Sequence, residues 1–292
     1  MERPYVIVTD AAADFLPGET EKYKIDVVPM EINMGGNIFR HYAYKQDTDL
    51  RKFYGQLREG VVAKTSQITP QSYCDFFRPV LKCGNDILYI SFSGSLSGTC
   101  DSARFAAKIL LEEFAGCRLC IVDSVSALGG QGMLACRAAE NRDAGMTIEE
   151  NKAWCEAHRL KTAHCGTVDD LMYLERGGRI NAVSAYFGTA LNLKPVISMD
   201  DEGHLPVRCK VHGRRMSLKK VAAYLRENIE NPEGQEIRIF HSDCPEDAET
   251  LKKMILELNL PIGDIRIGEV GPVVGSHLGP GAVALFFQTK HR

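Results

Sequence analysis

The run Ser91-Phe92-Ser93-Gly94-Ser95-Leu96-Ser97-Gly98-Thr99 sets five hydroxyls and two glycines between an apolar stretch, Ile87 to Ile90, and a helical pattern. In that pattern Ala103, Ala106, Ala107, Leu110, Leu111 and Phe114 recur at helix spacing. A turn so placed offers an anion free backbone N–H groups, the positive end of a helix dipole and short hydroxyls. The sequences that would make the anion a nucleotide phosphate are missing: no G-x-x-x-x-G-K-[ST] occurs, and no G-x-G-x-x-G follows the first strand. Gly94-Ser95-Leu96-Ser97-Gly98 puts leucine where the hydrolase elbow G-x-S-x-G needs its nucleophile. A carboxylate held by neutral hydroxyls fits this turn at least as well as a phosphate does.

Other residues of chemical type stand at turns. Asp10, Asp14 and Asp123 follow short β-rich runs, where aspartates cap turns more often than they gather a metal. Arg176 and Arg179 flank a helix C-terminus, a favourable place for cations in any protein. Thr65 precedes Thr69-Pro70, which reads as a helix cap with proline at the first helical position, so Thr65 is expected in the loop ahead of it. His277 lies in a glycine-rich stretch, Val273 to Gly281, expected to be a turn. His241-Ser242-Asp243 has the residue types of a catalytic triad at a spacing too close for the side chains to converge.

The elements that must position these groups alternate. Tyr5 to Thr9, Ile87 to Ile90 and Leu119 to Val122 are short β-rich runs, and the last two lead directly into helical patterns. Continuous apolar strands separated by helices imply an α/β fold with a mostly parallel sheet covered on both faces. Its ligand edge would be the strand C-termini, where Asp10, Ser91 to Ser95 and Asp123 fall. A polar, aromatic segment, Gly35 to Gly60, carrying His41, Tyr42 and Tyr44, reads as an excursion from that sheet. Beyond Cys165, Thr167 to Asp170 are expected to start a helix that Gly177-Gly178 ends, and Asp200-Asp201-Glu202-Gly203 to turn a hairpin. Two further helical patterns, a strand at Ile237 to Phe240 and a final strand through Phe287 complete a smaller α+β domain. The expected division is 1–163 and 164–292, with the ligand between or beside the two.

At 292 residues and a formal net charge of -3, the chain has no basic footprint for nucleic acid. Ten cysteines without a framework suit reduced thiols, and neither a signal peptide nor a membrane span is evident, so the expected compartment is the cytoplasm.

The ordered motifs resemble the DegV family of fatty-acid-binding proteins. They are Val8-Thr9-Asp10 with Ala13-Asp14, Thr65-Ser66-Gln67, Leu96-Ser97-Gly98-Thr99, Val122-Asp123-Ser124, Gln131-Gly132, Tyr173 to Ile180, Leu191 to Pro195 and Gly275 to Ala282. The resemblance implies a two-domain carrier that buries one long-chain fatty acid, such as palmitate or oleate, and presents its carboxylate to a separate fatty acid kinase. It implies carboxylate contacts from Thr65, from Ser93 or Ser95, from the Gly94 backbone and from His277, a partner or transient membrane-surface contact at Arg176, and no metal or organic cofactor. Two departures stand out: Ser93-Gly94-Ser95 replaces the adjacent serines of many relatives, and Glu175 replaces a frequent lysine. The residues also admit a serine-dependent acyl hydrolase or transferase, with Ser93 or Ser95 as nucleophile and His277 as base, or a lipid-sensing regulator.

Overall fold

The computed structural model describes residues 3–42, 48–180 and 192–292. Tyr44 of the expected excursion and Leu191 of the Leu-Asn-Leu-Lys-Pro run lie outside the described residues.

Strands β1 (Tyr5–Asp10), β2 (Ile25–Val28), β6 (Asp86–Ser91) and β7 (Leu119–Asp123) form a parallel sheet in the order β2-β1-β6-β7. Every residue of β6 is buried. Alternate side chains of a strand point to opposite faces. Accordingly Ile87 and Tyr89 join the core under helices α3 (Pro70–Lys82) and α4 (Thr99–Glu113), while Leu88 and Ile90 join the one under α5 (Leu128–Asp143) and α6 (Ile148–His158). Thr69 caps α3 as expected, its hydroxyl accepting from the Ser72 amide at 3.1 Å.

A second, antiparallel sheet, β4 (Asn37–His41), β3 (Met30–Met34) and β5 (Ala63–Thr65), stands beside the first. The Gly35–Gly60 segment, outside the parallel sheet, supplies β4 and α2 (Leu50–Arg58), whose Phe53, Tyr54 and Leu57 are buried. Thr65, expected in a loop, is the last residue of β5 and pairs with Ile32. A three-residue strand held by distant partners leaves no local periodicity to read.

The third sheet runs β10 (Val207–His212), β9 (Leu193–Ser198), β8 (Thr162–Thr167), β13 (Val283–Gln288), β11 (Ile237–His241), β12 (Ile265–Glu269). It is antiparallel except for β11 with β12. Its outer face is covered by α8 (Arg214–Asn228) and α9 (Pro245–Leu256) through Leu218, Val221, Leu225, Leu251 and Ile255. The inner face turns Ile197, Phe240 and Phe286 toward Leu96, Ala127 and Leu128 of the first half.

Two expected elements change. Thr167 ends β8 instead of opening a helix, and the helix that follows, α7, covers only Met172–Arg176 before the chain turns at Gly178, φ +72°. The glycine-rich stretch around His277 is mostly helical: α10 spans Pro272–Leu278, and the turn begins only at Gly279. Gly275 obscured that helix in the sequence, yet a side chain there would overlap the Tyr54 ring, so the helix needs glycine to pack against α2. No helix among the described residues is long and apolar enough to cross a membrane.

Candidate functional site

Strand β5 and helix α10 bring two of the singled-out residues together. Thr65 Oγ1 and His277 Nε2 are 2.7 Å apart and hydrogen-bonded. The C-terminal end of α7 closes over the imidazole, and Gly177 permits this because a methyl group in its place would collide with the His277 ring. Burial, and secondarily the Arg179 guanidinium, lowers the His277 pKa from 6.5 to about 4. The imidazole is therefore neutral at neutral pH, and the pair is an uncharged one.

Arg179 supplies the charge. Its Nε donates to the Leu96 carbonyl at 3.1 Å and its Nη1 to the carbonyl of Gly177, and it forms no ion pair among the described residues. Burial lowers its pKa, which marks a cation held at some desolvation cost without a carboxylate to offset it. Sequence reasoning assigned Arg179 to the helix terminus and missed this. The signal available was its place directly after Gly177-Gly178, where the chain must turn back toward the core.

Thr65, Arg179 and His277 line one end of a cavity of about 950 Å³, its open mouth included. The remaining wall is mainly apolar, with Leu96, Leu128, Leu174, Ile197, Met199 and Phe286 from the facing layers. Both His164 and Thr167 of β8 line it, so the cavity follows that strand for about 10 Å. Polar side chains in that wall include Thr167, Ser198 and His164. The Nδ1 of His164 donates to the Thr162 carbonyl at 3.0 Å, its Nε2 bonds the Ser126 hydroxyl at 2.6 Å, and burial holds its pKa well below the ordinary value, so it is a satisfied neutral group.

The hydroxyl-rich turn itself is occupied by its own chain. Ser93 Oγ donates to the Gly203 carbonyl at 3.1 Å, and Ser95 Oγ to the Glu202 carbonyl at 2.5 Å. The Gly94 amide does hold an anion, but that anion is the Asp123 carboxylate, at 3.2 and 3.3 Å. Ser93, Gly94 and Ser95 do not line the cavity; Phe92, Leu96 and Ser97 of the same turn do. The β9–β10 turn, which takes up both serine hydroxyls, is more than a hundred residues away in sequence and gave no local sign of doing so. Neither serine hydrogen-bonds His277, so the nucleophile-base pair of the hydrolase alternative is not formed.

Of the others, Arg176 is exposed, stacks over the Tyr173 ring at 4.9 Å and stays outside the cavity. Asp10 and Asp123 serve turns: Asp10 accepts from the Ala12 and Phe92 amides and the Tyr89 hydroxyl, Asp123 from Gly94 and Val125. Asp14 accepts from the Gly271 amide at 3.0 Å and is pushed up to about 8 by burial. Among the described residues the three aspartates form no metal-ligating group; the one such group, Asp200, Glu202 and His204, lies on the β9–β10 turn. His241 accepts from the Cys244 amide while Asp243 pairs with Arg58, so the apparent triad points apart.

A family model described as "Uncharacterised protein, DegV family" matches residues 4–290. A DegV domain-containing protein of Clostridium perfringens is 39% identical over 287 residues, covering 98% of this chain and 97% of its own. Among solved structures, one of a DegV family protein from Thermus thermophilus, described by its fatty acid binding, superposes with a TM-score of 0.86 at 30% identity, covering 98% of this chain and 99% of its own. The Fatty Acid Kinase (Fak) B3 protein of Streptococcus pneumoniae, solved loaded with linoleic acid, has the same fold: TM-score 0.85 at 21% identity, covering 98% of this chain and all of its own.

Proposed function

This chain belongs to the DegV family, and from that premise we propose that it binds one long-chain fatty acid in the apolar cavity, with the carboxylate at Thr65, His277 and Arg179. The observation that carries the reading is a cation without a counter-ion among the described residues, beside a hydroxyl and an imidazole, at the head of a mainly apolar cavity. Each buried methylene contributes about 0.8 kcal/mol, so a long acyl tail gains roughly 10 kcal/mol before ordering costs. The tail supplies affinity, and the head supplies selectivity for the ionised acid. A carboxylate entering there is compensated by Arg179 and takes hydrogen bonds from Thr65 and from His277, whose proton affinity it raises. No metal or organic cofactor is needed for this binding.

The chain on this reading is a carrier and not a catalyst: it presents the acid to a separate ATP-dependent fatty acid kinase. Arg176, exposed beside α7, suits contact with that partner or a passing membrane surface, and nucleic acid is no partner. We place the protein in the cytoplasm, consistent with ten unpaired cysteines, and its domain division near residue 163, at the start of β8. Mass spectrometry of the purified protein tests the reading. Recovery of a fatty acid, with binding of oleate but only weak binding of oleyl alcohol, supports it; no acyl chain and no oleate binding refutes it.

A further inference from the structure

A bound acid is useful to a second protein only if its oxygen is reachable. The structure offers a defined route. Ser66 and Gln67 line the head of the cavity on one side and a polar surface groove on the other, between β3, β4 and the first turns of α3. That groove is walled by Glu31, Arg40, Thr69, Ser72 and Asp75. Gln67 stands directly after Thr65 and Ser66, its side chain is exposed, and it makes no hydrogen bond among the described residues. It lies over Gly98, where a methyl group would come within 2.5 Å of Gln67 Oε1. A long, exposed side chain with no polar anchor among the described residues thus rests on a glycine between cavity and groove.

We propose that this groove is the face from which a phosphoryl donor reaches the bound carboxylate, with Gln67 over Gly98 as the gate. The inference rests on the fatty-acid reading and adds the direction of approach. The donor is a nucleoside triphosphate held by the partner protein. A carboxylate oxygen bonds to the terminal phosphorus, the bond from that phosphorus to its bridging oxygen breaks, and the nucleoside diphosphate leaves with the electron pair. Arg40 is already paired with Glu31 at 3.0 Å, so the groove brings little free positive charge of its own, and the partner supplies the charge that neutralises the phosphates.

A small electrophile reports on the same route. The protein is loaded with oleate, the loading is counted by mass, and the loaded protein is treated with a water-soluble carbodiimide and hydroxylamine; oleohydroxamic acid formed per bound oleate is followed by mass spectrometry. Ser72→Trp fills the groove without touching the cavity and is expected to slow the reaction at least fivefold, while Gln67→Ala speeds it. Phe105→Trp, on the exposed face of α4, serves as the control and is expected to leave the rate unchanged. A rate indifferent to Ser72→Trp overturns the route. Failure to load oleate at all would instead count against the fatty-acid reading, so the two ideas fail separately.

Discussion

Thr65 and His277 are 212 positions apart in the chain and 2.7 Å apart in space. The contact joins the short strand β5 to the helix α10, and it sits at the polar end of a cavity whose wall is mainly apolar. A hydrogen bond to a charged group is worth about 1.5–3 kcal/mol. Thr65→Val keeps the shape and removes the hydroxyl, so oleate affinity should fall about 10- to 100-fold while thermal stability stays close to that of the parent. Isothermal titration checks this. Unchanged affinity would remove Thr65 from the carboxylate site.

Acidification should separate empty from loaded protein. His277 has its folded pKa lowered from 6.5 to about 4. Between those values the unfolded chain binds a proton that the empty folded protein does not. Stability of the empty form therefore falls as pH drops through that window, by up to about 3 kcal/mol from this group, and loses nothing further from it below pH 4. A carboxylate beside the ring raises its pKa, so oleate-loaded protein should lose less. Thermal unfolding between pH 7.5 and 4 measures both, and His277→Gln should flatten the difference; equal slopes for empty and loaded protein would speak against His277 meeting the acid.

Arg179→Met keeps an apolar stem in the wall and removes the cation. Oleate binding should weaken at least about tenfold, consistent with loss of a charge-assisted contact. Oleyl alcohol, with the same tail and no charge, should bind as before. Parallel losses for both ligands would mean that Arg179 acts only by holding the Leu96 carbonyl.

These residues divide sharply in how far the sequence revealed them. Strands β1, β6 and β7 were legible because continuous apolar runs of that length, each leading to a turn, have few other uses. The start of α3 was legible from Thr69-Pro70, a capping hydroxyl and a residue that fits the first helical position. Strand β5 was not, since its three residues are held by pairing with β3 rather than by any pattern of their own. Helix α10 read as a turn because Gly275 and Gly279 weigh against a helix locally, whereas close packing on Tyr54 decides in its favour. The hydroxyl-rich turn was visible as an anion site, and its amide does hold a carboxylate, but the carboxylate is Asp123. Arg179 was seen as a helix-terminal cation because only the assembled cavity reveals that no carboxylate among the described residues balances it.

The tail end can be tested independently of the head. Ala284 of β13 lines the cavity opposite Gly166 of β8. Ala284→Phe places a ring in that space, so oleate should lose affinity relative to laurate, whose shorter tail avoids the obstruction. Competition binding reads the ratio. A ratio that does not move would place the hydrocarbon elsewhere.

Asp14 makes a prediction about the fold alone. Its folded pKa is raised from 3.8 to about 8 by burial, and its Oδ2 has no hydrogen-bond partner among the described residues. Between those values the folded protein holds a proton that the unfolded chain has released, so this group's contribution to stability declines as pH rises and levels off above pH 8. Asp14→Asn keeps an acceptor for the Gly271 amide without an ionisable group. Its Tm should exceed the parent's at pH 9 by more than at pH 6; the opposite ordering would contradict the assignment.

The central claim is tested most directly by a crystal structure of the protein loaded with oleate. The account predicts the carboxylate within hydrogen-bond distance of Thr65 Oγ1 and close to Arg179, with the hydrocarbon running along β8 toward His164. A carboxylate bound instead at the Ser93–Ser95 turn, or a cavity that stays empty with oleate in excess, would contradict it.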